Sequence, residues 1–257
     1  PVASTPLGFP IPNPVPLPTS CYLDETVPVG NPTVSGLQQP TLRCLRFTSD
    51  VRNVGGGALE IRIPLLNADS SGITSSYLPG ECLAQQVLTS SIDTQVTRSA
   101  GACLFHTQHL HFHYSDLLGY TLYNVTATGS IGPKVATSVK ASFCLSDDDY
   151  FGFGTSAPNS QRDFTGQPGC NVPASGTSID EGIKPGWGDV YTWDTPGQYI
   201  DVTNLASGTY DLVEETNPTG ALIVAGPAQT CALTKLLLTS SSVSIVSQSA
   251  SIPCPAS

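Results

Sequence analysis

Leu59, Ile61 and Ile63 alternate with Glu60 and Arg62. That two-residue period belongs to a strand with one face against a core. Gly55-Gly56-Gly57 just before it marks a turn or bulge. The alternation recurs where Ile200 and Val202 flank Asp201, and where Tyr210 and Leu212 flank Asp211. Gly208 lies between these two runs, which are therefore expected to form a hairpin. Val243-Ser244-Ile245 is strand-like as well. No convincing amphipathic helix of more than two turns is found, and proline and glycine interrupt nearly every candidate stretch. The expected fold class is all-β, a β-sandwich core with long loops and disulfides.

Prolines crowd the start of the chain, at Pro1, Pro6, Pro10, Pro12, Pro14, Pro16 and Pro18. Residues 1–40 read as an extended arm, 41–235 as the main domain, and 236–257 as a Ser-rich strand and tail. The arm and tail suggest self-assembly through the terminal segments, as in a structural or adhesive surface protein.

Composition narrows the setting. Charged residues are only 12% of the 257, so Ser, Thr, Pro and Gly must supply solubility, as in many secreted proteins. The net charge of −10 argues against a nucleic-acid partner, because little would neutralise a phosphate backbone. No apolar run is long enough to span a membrane. The chain has no Met and reads as a mature secreted form. Eight cysteines, none in a CxxC pair, predict four disulfides in an oxidising compartment, joined neighbour to neighbour. Asn124-Val125-Thr126 is a glycosylation sequon.

Candidate chemistry starts with histidine. Three of the four lie at His109, His111 and His113, and the fourth is His106. On a strand, residues two apart share a face. The three imidazoles can thus converge on one ion, while Leu110 and Phe112 face the core. Imidazole suits copper, zinc, nickel or iron, and these residues do not choose among them. Asp116, just downstream, reads as a turn residue. Lys140 sits among small and apolar residues in Val139-Lys140-Ala141-Ser142-Phe143-Cys144, and by itself reads as a lysine reaching out from a strand. Tyr191, in Gly188-Asp189-Val190-Tyr191, reads by itself as a loop tyrosine.

Taken together, these elements resemble the lysyl oxidase family. His109-Leu110-His111-Phe112-His113 is similar to its copper motif, and Lys140-Ala141-Ser142-Phe143-Cys144 to the surroundings of its cofactor lysine. Tyr191 matches the cofactor tyrosine, eight residues before Tyr199-Ile200-Asp201-Val202-Thr203. The resemblance covers roughly residues 42–215. It implies a β-sandwich that oxidatively deaminates primary amines, on lysine-bearing proteins or small molecules. It also implies copper on His109, His111 and His113, and a lysine tyrosylquinone built from Lys140 and Tyr191. Asp189 and Asp194 flank Tyr191 as candidate bases, although capping and turn roles suit both better. Residues 220–227, Gly-Ala-Leu-Ile-Val-Ala-Gly-Pro, lack the acidic groups that a calcium site there would need. The competing readings are the structural surface protein and a plain copper- or zinc-binding module.

Overall fold

The computed structural model describes residues 4–9 (backbone), 43–64, 83–89, 95–106, 111–115, 117–138, 142–152, 164, 170, 178–193, 195, 198–224 and 229–255. His109, Asp116, Lys140 and Asp194 lie outside them.

The described residues form strands and no helix. In chain order these are β1 (Ser4–Phe9), β2 (Cys44–Arg46), β3 (Thr48–Asn53), β4 (Leu59–Pro64), β5 (Leu83–Thr89), β6 (Gln95–His106), β7 (His111–Tyr114) and β8 (Leu118–Val125). They continue with β9 (Ile131–Thr137), β10 (Asp149–Tyr150), β11 (Ser178–Ile183), β12 (Trp187–Tyr191), β13 (Tyr199–Asp201), β14 (Gly208–Thr216), β15 (Thr230–Leu238) and β16 (Val243–Ile252). The all-β expectation is borne out. No described helix is long and apolar enough to cross a membrane.

One five-stranded sheet runs β11-β4-β5-β6-β7, another β16-β15-β14-β8-β9, and a four-stranded sheet runs β1-β3-β12-β10. Every pairing between strands is antiparallel. The core lies between the sheets. Leu59, Ile61 and Ile63 of β4, Tyr120 and Leu122 of β8 and Leu212 of β14 meet there, with Phe112, Phe143 and Leu145. On β4 the period-two reading holds. The apolar side chains are buried, while Arg62 on the other face pairs with Asp180 of β11 at 2.6 Å.

The expected hairpin does not form. Both runs are strands, but β13 pairs with β2, and β14 pairs with β8 and β15. β13 pairs with a strand far back in the chain, and β14 is held between β8 and the next strand, β15, so neither uses its neighbour across Gly208.

Cys144–Cys170 and Cys231–Cys254 are disulfides between neighbours in sequence, and Cys44 and Cys103 are also disulfide-bonded. Cys231–Cys254 fastens the β16 end to β15. Closing a loop of that length is worth about 3 kcal/mol in the chain-entropy picture. Asn124 of the sequon is exposed near the β8–β9 turn.

Candidate active site

β7 forms because its alternate side chains face two different surroundings. Phe112 and Tyr114 fill the core, and the Tyr114 hydroxyl donates to Ala100 O at 2.7 Å. His111 and His113 share the opposite face and are buried too, at 3% and 4% exposure. Their Nε2 atoms lie 2.8 Å apart. At that distance one nitrogen carries a proton and the other accepts it. Ser142 Oγ lies 3.0 Å from His113 Nδ1. With Nδ1 protonated and donating to that hydroxyl, His113 Nε2 keeps its lone pair directed at His111.

This pair fits a soft divalent ion. Two nitrogens each ~2 Å from one metal lie roughly 3 Å apart, so a metal could replace the shared proton with little movement. Two further groupings have ligand-like spacing among the described residues: Cys144, Cys170 and Glu181, and Glu215, Cys231 and Cys254. In each, the two sulfurs are bonded to one another and so are not thiolate ligands.

Residues 142–144 run alongside β7. Tyr114 N donates to Phe143 O at 2.7 Å, and Phe143 N donates back to Tyr114 O at 2.8 Å. On its other side the segment meets Tyr191. The Phe143 and Tyr191 rings pack edge to face with centroids 4.8 Å apart, an arrangement worth about 1 kcal/mol beyond burial. The Tyr191 hydroxyl lies 2.9 Å from both Cys144 O and Asp189 Oδ2, so one phenol proton is shared between two acceptors. Glu181 of β11 fixes the same segment from behind, with Oε2 accepting from Leu145 N at 3.0 Å.

Tyr191 is the last residue of β12, buried and opposite Ser49 of β3, so it is not a loop residue. Asp189 is corrected in the same way. It lies within the strand, 1% exposed, and neither caps nor turns the chain. Burial pushes its carboxyl well above the ordinary range, and the nearby charge of Asp148 adds to the rise. Burial likewise raises the Tyr191 phenol, with the Asp189 charge next. Both groups therefore favour their neutral forms. Behind Tyr191, Ser49 Oγ lies 2.6 Å from the Tyr120 hydroxyl, which continues the buried polar layer.

The structure thus brings His111, His113 and Tyr191 around one short segment. Sequence reading missed the roles of Ser142, Glu181 and the Cys144 carbonyl. Ser142 stood inside the lysine motif, but nothing in its residue type pointed to His113. A backbone carbonyl leaves no mark in a sequence at all.

A pair of buried imidazoles and a hydrogen-bonded tyrosine thus meet one short segment of an all-β protein. Comparison with known proteins makes the class specific. The lysyl oxidase family model matches residues 84–225, more than half of the chain. Lysyl oxidase homolog 1 of Homo sapiens is 34% identical over 114 residues, 44% of this chain and 17% of the relative. Lysyl oxidase homolog 3 of Homo sapiens is 31% identical over 115 residues, 45% of this chain and 13% of the relative. Lysyl oxidase homolog 2 of Xenopus tropicalis is 30% identical over 115 residues, 45% of this chain and 12% of the relative. The chain belongs to the lysyl oxidase family. The aligned stretch is less than a fifth of the length of these relatives.

Proposed function

We propose that the protein is a copper-dependent amine oxidase that converts primary amines, on lysine-bearing proteins or small molecules, to aldehydes with release of ammonia and hydrogen peroxide. His109, His111 and His113 would hold the copper. Lys140 and Tyr191 would supply the lysine tyrosylquinone. One observation carries the reading: residues 142–144, which follow Lys140 by two to four positions, touch His113 at Ser142 and Tyr191 at Phe143 and Cys144. The metal and quinone together supply oxygen chemistry and an electron sink for the carbon bearing the amine.

The chain's own residues prepare that chemistry. Ser142 sets the orientation of the His113 ring. Phe143, fully buried, walls one side of the Tyr191 ring. Asp189 and the Cys144 carbonyl hold the phenol oxygen in one place. Low water content around Tyr191 strengthens each of these contacts. An extracellular setting belongs to the same proposal and is supported by the disulfide bonds.

The test is aldehyde and peroxide release from an alkyl diamine and from a lysine-rich peptide by the copper-loaded full chain. Equal release of both products, abolished in Tyr191→Phe and Lys140→Ala, is the expected result. A silent, copper-loaded wild type, or a fully active Tyr191→Phe variant, would sink the reading.

A further inference from the structure

Tyr191 cannot be oxidised without giving up its phenol proton, and it lies where water has little access, at 9% exposure. We propose that Asp189 and Asp148 form the route by which that proton reaches solvent. The inference rests on the amine oxidase reading, since the route serves formation of the tyrosine-derived cofactor.

The first link is Asp189. It stands two residues before Tyr191 on β12, so both side chains leave the same face of the strand. The hydroxyl meets Asp189 Oδ2 at 2.9 Å. Cys144 O, at the same distance, accepts a hydrogen bond but does not bind a proton. Of the two acceptors, only the carboxyl can carry the proton away.

Asp148 provides the second link. Its N–H donates to Gly188 O at 2.8 Å, and its Oδ2 accepts from Val190 N at 3.3 Å. These contacts grip β12 on either side of residue 189. The Asp148 and Asp189 carboxyls are hydrogen-bonding neighbours, an arrangement that requires a proton between them. Asp148 is exposed, whereas Asp189 is 1% exposed, so the pair runs from buried phenol to water.

Two other buried acids nearby accept from backbone N–H groups. Asp147 accepts from Lys184 N at 2.7 Å and Phe164 N at 3.0 Å. Glu181 accepts from Leu145 N.

A carboxylic acid can take a proton on one oxygen while releasing one from the other. The phenol O–H bond breaks and an O–H bond forms on Asp189. The proton already between the two carboxyls passes to Asp148 and then to water. One proton leaves Tyr191, one enters solvent, and both acids return to their starting state. No electron moves in this step.

The experiment uses the full chain prepared without metal, with copper and air then added. Formation of the Lys140–Tyr191 crosslinked peptide is followed by mass spectrometry, with bound copper measured in parallel. Asp189→Asn should slow crosslinking by on the order of 10²-fold, the usual contribution of a positioned proton acceptor. Asp148→Asn should slow it less, Asp148→Glu should restore it, and copper content should match wild type in all three. A second readout needs no metal: the ultraviolet phenol titration that Tyr191→Phe removes should move to lower pH in Asp189→Asn. Wild-type crosslinking rates in Asp189→Asn and Asp148→Asn would overturn the proposal. If the copper-loaded wild type itself forms no crosslink, the amine oxidase reading fails instead. The phenol titration then decides, and an unmoved curve in Asp189→Asn overturns the route.

Discussion

Ser142 holds the His113 ring by its far nitrogen. Its Oγ lies 3.0 Å from Nδ1, while Nε2 of the same ring faces Nε2 of His111 at 2.8 Å. Where that hydroxyl accepts from Nδ1–H, Nε2 is the ring nitrogen left to bind an ion. Because Ser142 comes two residues after Lys140, the same stretch of chain orders the histidine pair and carries the lysine.

Ser142→Ala should therefore weaken copper binding by about 10–100-fold, the usual cost of losing a partner that orients a ligating histidine. Ser142→Thr, which keeps the hydroxyl, should bind close to wild type. Competition against a chelator of known affinity measures both. Equal affinity in Ser142→Ala would mean that the hydroxyl does not set the ring.

Glu214 makes stability depend on pH. It is 2% exposed, and its Oε2 has no hydrogen-bond partner. Burial, then the charge of Asp50, raises its carboxyl from 4.5 to about 8. Asp50 is itself raised to about 6, chiefly by burial. A carboxyl raised in this way favours the folded state while protonated. Its contribution is complete below the unfolded value near 4.5 and is lost as pH climbs through about 8. The urea midpoint of the wild type should fall between about pH 5 and about pH 8. Glu214→Gln, neutral throughout, should show a shallower fall and be the more stable protein at the alkaline end. Parallel pH profiles would contradict this.

Gly182 is required by packing. A methyl group there would strike the Leu59 carbonyl across the β4–β11 pair and the Phe164 ring. Backbone cannot yield as a flexible side chain can. Gly182→Ala should cost about 1–3 kcal/mol or more, as overpacking does, and lower the melting temperature by several degrees. An unchanged thermal unfolding curve would show that the two strands can separate freely.

Much of the fold was legible because one physical constraint acts at a time. Leu59, Ile61 and Ile63 each face the core, so their period survives in the sequence. His111 and His113 share a face for the same reason. The Ile200–Val202 and Tyr210–Leu212 runs were read as strands correctly but paired wrongly. Strand character is local, whereas partner choice depends on which distant strand completes a buried surface. Asp189 misled in the opposite direction. Aspartate is depleted in strands and favoured in turns, so its type pointed to a turn. Its hydrogen bond to Tyr191 overrides that preference and can be seen only in three dimensions. His109 and Lys140 lie outside the described residues, and their assignments rest on the motif alone.

The most direct measurement of the central claim is peptide mass spectrometry on the copper-loaded chain, with metal analysis of the same sample. The account predicts copper together with a peptide in which Lys140 and Tyr191 are covalently joined. Copper with both peptides at their unmodified masses would contradict it, and would leave a metal-binding member of the family without the cofactor.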